Sequence, residues 1–153
     1  MPIINDIEQL DNKMISNVKY FAELTRKKMP GYKLYIGETR RELSTQMAYY
    51  SRGRCPVNIV KDYFVRCGLW KLSDAECNII STQTLYSKHI DGLAVDAYLF
   101  DIAKNRILYE PGKELWLELF AIAEDECGLD ACAAGKYNSW KWDWAHFEFR
   151  SRI

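Results

Sequence analysis

The sequence carries two histidines, His89 and His146, and a carboxylate lies near each of them. A neutral imidazole is the commonest protein ligand for catalytic zinc, so a chain this sparing of histidine directs attention to both. Asp96 follows His89 and falls inside the otherwise apolar run Leu93 to Phe100. A carboxylate in apolar surroundings is costly unless it is paired, hydrogen-bonded or bound to metal, and a divalent cation would supply the partner. An isolated aspartate on an edge strand would simply face solvent; His89 and Gly92 beside this one favour a site. In the second cluster, Trp142-Asp143-Trp144-Ala145-His146-Phe147-Glu148, Asp143 and His146 are spaced to face one point at the start of a strand. His89, Asp96 and His146 make the three-ligand set of a hydrolytic zinc, whose open fourth position holds water with its pKa lowered towards neutrality. Asp143, a carboxylate beside the metal but not bound to it, fits the general base that takes the proton of that water.

These residues need elements to position them. Ile7, Leu10, Met14, Val18, Phe21 and Leu24 recur at helical steps after Asn5 and Asp6, which can cap a helix start, and Pro30-Gly31 ends the pattern. Tyr32 to Ile36 is aromatic and β-branched and reads as a strand leading into Gly37-Glu38. A helix is expected from about Glu42 to Gly53. Pro56 opens another that Gly68 ends, and Ser73 with Glu76 forms a capping box for a short one, so residues 54–80 read as a helical insertion. Leu93 to Phe100 is a strand, Lys104-Asn105 a turn, Gly112 to Cys127 a helix with Leu115, Leu119 and Ile122 on one face, and His146 to Phe149 a strand. Such a mixture predicts one α+β domain over residues 1–153, a small antiparallel sheet flanked by helices.

Composition narrows the function classes. The 153 residues are 48% apolar and 27% charged, which suits a globular domain with its own core. Basic and acidic residues both number 21, so no positive field draws the chain to nucleic acid. The first residues lack a secretory signal, and no apolar run of about 18 residues occurs to cross a membrane. Five cysteines without a CxxC pair argue against a disulfide framework or a thiolate zinc site and read as small buried thiols. Trp140, Trp142 and Trp144 alternate with other residues and could be taken for a sugar platform, but large aromatics more often pack a core. Glu148 is expected to support a ligand rather than to be one.

Ser87, His89, Gly92, Ala94 and Asp96, followed far downstream by Asp143, His146, Phe147 and Glu148, resemble the LAS-type zinc peptidases in type, spacing and order. That family holds D-Ala-D-Ala carboxypeptidases and dipeptidases and the L-alanyl-D-glutamate endopeptidases used as phage endolysins; the hedgehog domains share its fold. Glu38 to Gln46 and Tyr50 to Arg54 resemble the family segment that carries its arginine, which falls on Arg41, with Arg40 as the adjacent rival. Thr39-Arg40 and Ala145 depart from the usual residues at their positions. The resemblance spans about Leu34 to Phe149 and is weak through the insertion. It implies a Zn2+ held by His89, Asp96 and His146, catalysis by Asp143, and Arg41 binding a substrate carboxylate or stabilising the oxyanion with its fixed donor fork.

The stretch from Trp142 to Glu148 is most similar to the phage endopeptidase branch. The leading expectation is therefore an endolysin that cuts the L-Ala-D-Glu bond of the peptidoglycan stem peptide. It would act as a monomer, accumulate in the host bacterial cytoplasm and reach the wall through a membrane pore. A D,D-carboxypeptidase or dipeptidase is the nearest alternative. A non-enzymatic zinc-binding module is the third, and Asp143 argues against it, because a structural site needs no free base.

Overall fold

A computed structural model of the chain describes residues 3–131 and 143–150. Helix α1 spans Asn12–Lys28, and its Met14, Val18, Phe21 and Leu24 form one buried stripe, as their spacing requires. The apolar pattern begins earlier than the helix does. Asp6 caps a separate 3-10 turn, Ile7–Gln9, and Asp11 caps α1 by accepting from Lys13 N at 3.0 Å. Strands β1 (Tyr32–Glu38), β2 (Ala94–Asp101), β3 (Arg106–Leu108), β4 (Leu129–Ala131) and β5 (His146–Phe149) form one antiparallel sheet. Its order is β1-β2-β5-β4, with β3 pairing the far end of β2.

Strand β2 lies between β1 and β5, and its side chains alternate. Val95, Ala97 and Leu99 are buried in the core beneath the sheet, and Asp96 and Tyr98 line a cavity above it. The core face is covered by α1 and by α5 (Lys113–Glu126), which contributes Trp116, Leu119, Phe120, Ile122 and Ala123. Each large apolar side chain buried there contributes about 1.5–3 kcal/mol relative to exposure. Trp144 packs onto this core, with ring centroids 6.2 Å from Trp116 and 5.7 Å from Phe120, so its role is packing as expected. Trp140 and Trp142 lie outside the described residues.

Helix α2 (Leu43–Ser51) packs on α3 (Val57–Arg66), which packs on α4 (Asp74–Cys77), and Tyr49 of α2 lines the cavity above the sheet. Helices α3 and α4 both fall in the stretch 54–80, and the Ser73–Glu76 capping box forms. This part of the chain has its own small core of Ala48, Val60, Phe64, Leu72 and Cys77. The four described cysteines are free; Cys77 and Cys127 are buried and Cys55 and Cys67 half-exposed, while Cys132 lies outside the described residues. Among the described residues no helix is long and apolar enough to cross a membrane.

Candidate metal centre

Register brings the site together. On β2, Asp96 stands opposite His146 of β5 on one side and Glu38 of β1 on the other. The β1 register shifts between Ile36 and Glu38, and Gly37 makes this possible: a Cβ there would come within 3.0 Å of the Tyr98 ring. His89 arrives from the loop before β2, where Gly92 at φ +69 turns the chain into the strand. A Cβ on Gly92 would meet Asp11 N at 2.7 Å, so this turn is packed against the start of α1.

The hydrogen bonds decide which nitrogen of each imidazole is available. His89 Nδ1 lies 2.6 Å from the Thr39 carbonyl, which can only accept, so Nδ1 carries the proton and Nε2 presents its lone pair. That Nε2 is 3.2 Å from Asp96 Oδ1. His146 Nε2 is 3.3 Å from Glu148 Oε1, and its Nδ1 is 3.5 Å from the same Asp96 oxygen. Two lone pairs thus converge on one carboxylate oxygen, an arrangement that repels unless a cation lies between them. The three donor atoms fall within 4.8 Å of one another. A tetrahedral zinc with bonds of about 2.0–2.1 Å sets its donors roughly 3.3 Å apart, which the 3.2 and 3.5 Å separations match. The residues present fit a zinc ion.

Asp96 needs positive partners to stay ionised in this setting. Burial acts to raise its carboxyl, but His89 and His146, which donate to it when protonated in place of a cation, override burial and hold Asp96 well below the usual carboxylate range. Asp143 behaves in the opposite way. Its Oδ2 lies 3.9 Å from His146 Nδ1, and burial, reinforced by Asp96, raises its pKa despite the pull of His146. It lines the cavity beside the donors.

Arg41 and Arg40 separate cleanly. Arg41 lines the cavity, with Nε and Nη2 on the two Glu38 oxygens at 2.8 and 2.6 Å, and Nη1 on Gln46 Oε1 at 2.6 Å. Its guanidinium also lies over the Tyr49 ring, 4.8 Å from the centroid. Burial would weaken its charge, but Glu38 more than offsets this and its pKa is raised. Arg40 instead pairs with Glu42 at the surface.

Three residues were not singled out as functional from the sequence. Thr39 is fully buried, has its hydroxyl within donating distance of the Ile4 and Asp6 carbonyls at 3.1 and 2.9 Å, and offers its own carbonyl to His89. Glu38 sets the angle of Arg41. Tyr98, pushed up to about 12 by burial and by Asp96 and Asp143, is a neutral phenol lining the cavity. Glu38, three residues before Arg41, was visible as a charge pair; a backbone carbonyl such as that of Thr39 has no sequence signal.

No family model and no curated protein sequence matches the chain. Solved structures do match it. The L-Ala D-Glu endopeptidase ChiX of Serratia marcescens superposes with a TM-score of 0.56 and 17% identity, over 94% of this chain and 82% of that one. The vancomycin-resistance D,D-pentapeptidase VanY of a VanB-type cassette, solved with Zn(II), gives 0.55 and 15%, over 93% and 73%. VanYB in complex with D-alanine-D-alanine gives 0.55 and 13%, over 93% and 72%. The chain has the fold of these peptidases. That agrees with the α+β domain expected from the sequence.

Proposed function

We propose that this chain is a zinc-dependent peptidoglycan peptidase, and that it cuts the L-Ala-D-Glu bond of the stem peptide. The observation that carries this reading is the pair of imidazole lone pairs aimed with Asp96 at one point, with the Asp143 carboxylate beside it. His89, Asp96 and His146 would hold the ion. When bound by these three residues, zinc would supply an open position for water and Lewis-acid activation of that water and of a carbonyl.

The chain's own residues supply the rest. Asp143 Oδ2 accepts the proton of the attacking water and returns it to the leaving amine, a task suited to a carboxyl whose pKa burial raises. Thr39 and Glu148 fix the two imidazole tautomers. Arg41, locked by Glu38 and Gln46, offers its remaining N–H donors to the developing oxyanion or to a substrate carboxylate. The cavity of about 430 Å³ is large enough for a short peptide.

The similarity of Trp142 to Glu148 to the phage endopeptidases supports a role as an endolysin. Digestion of purified peptidoglycan, followed by mass spectrometry, tests the bond: new N-terminal D-Glu supports this reading, and released D-Ala would assign the chain to the D,D-peptidases instead.

A further inference from the structure

The cavity holds two arginines that are differently committed. Arg41 is neutralised by Glu38 and tied to Gln46. Arg52 ends α2 in extended backbone, is half-buried, and lines the same cavity as His89, Asp96 and Asp143. Its Nε donates to the Glu76 carbonyl at 3.0 Å. Among the described residues no carboxylate pairs with it: Glu76, whose charge it senses, turns Oε2 to Ser73 N at 2.8 Å. Arg54, two residues on, lies over the Tyr50 ring and does not line the cavity.

The helical insertion holds Arg52 in place. Gly53 N donates to the Cys77 carbonyl at 2.8 Å, and Gly53 has φ +73. A Cβ at Gly53 would come within 2.6 Å of Ile80 Cγ1 and 2.9 Å of Ile80 N, so the turn is pressed against the end of the insertion. Backbone contacts therefore fix the stem and the Nε of Arg52, while both Nη groups keep their donors. A guanidinium held at Nε and, among the described residues, without a paired carboxylate, in a cavity lined also by Ser81 and Thr82, suits a carboxylate.

We propose that Arg52 is a specificity-determining residue that binds a carboxylate of an acidic substrate peptide, separate from the group met by Arg41. The insertion is then the element that sets acidic-peptide preference. This inference rests on the peptidase reading above.

The test uses the full chain with zinc and synthetic stem peptides in which each carboxylate is free or, one at a time, amidated. Wild type, Arg52→Gln and Arg52→Lys are compared for KM and kcat, with zinc content and Tm as controls on folding. On the free peptide Arg52→Gln should raise KM about tenfold to a hundredfold, the worth of a charge-assisted hydrogen bond, with kcat little changed. Amidating one particular carboxylate should cost wild type the same factor and cost Arg52→Gln almost nothing, so the two converge on that peptide. Arg52→Lys should fall between them. Equal losses by Arg52→Gln on every peptide, or a loss confined to kcat, would overturn the assignment and leave the peptidase reading standing. Wild type that cleaves none of the peptides would overturn the peptidase reading and this inference with it.

Discussion

Asp96 and His146 stand opposite one another on adjacent antiparallel strands, with Oδ1 and Nδ1 3.5 Å apart. A one-residue slip of β5 against β2 would turn His146 to the core face and away from Asp96, so the site is fixed by the same alternation that buries Val95 and Phe147. Two of the three candidate metal donors are in this sense a product of the sheet.

Zinc content checks the ligand set first. Purified protein should carry about one zinc per chain, and His89→Ala, Asp96→Ala and His146→Ala should each lose it. Full occupancy in His146→Ala, by elemental analysis, would remove that residue from the set. Chelation should lower Tm, since an ion bound only by the folded chain stabilises it by mass action.

Glu148 offers a finer check. Glu148→Gln keeps the shape but weakens the contact that holds His146 Nε2 and turns Nδ1 to the metal. Zinc affinity, measured by competition with a chelating dye, should fall about 10–100-fold.

How much of this was legible in the sequence depended on whether side chains or backbone carried the feature. Apolar spacing is a side-chain signal; β2, α5 and β5 lie where it put them, and α1 ends where it put it but starts later. Strands β3 and β4 are three residues each, too short for a period to show. The cap at Asp11 was hidden because Ile7 and Leu10, before it, pack against the same core as the helix stripe. The donors stood out because histidine is rare here. Thr39 acts through its carbonyl, and Arg52 through its placement by the insertion, so neither could be read before the fold.

Arg41 should prove sensitive to shape as well as to charge. Arg41→Lys keeps the charge but cannot reproduce the fork on Glu38, so cleavage should fall while zinc is retained. Arg41→Ala leaves Glu38 with its charge largely buried, the two side chains being 10% and 9% exposed, and should cost about 3–5 kcal/mol of stability in denaturant titration. Arg40→Ala should change neither. Loss of cleavage in Arg40→Ala with Arg41→Ala intact would reverse the two roles.

Activity against pH should show the raised Asp143 carboxyl. A base works only when deprotonated, and a raised pKa keeps it protonated to higher pH. Cleavage should therefore rise with pH through a limb shifted upward from that of an ordinary aspartate. In Asp143→Asn the residual activity should lack that limb. A wild-type profile without that limb would count against Asp143 as the base.

Asp143→Asn against wild type, each followed for wall digestion and zinc content on the same samples, tests the central claim most directly. Asn keeps the shape of Asp and cannot accept the proton. The account predicts that wild type releases fragments with N-terminal D-Glu, and that Asp143→Asn folds, keeps its zinc and loses about 10²–10⁴-fold in turnover. Asp143→Asn digesting peptidoglycan at the wild-type rate, or zinc-loaded wild type releasing no wall peptide, would contradict it.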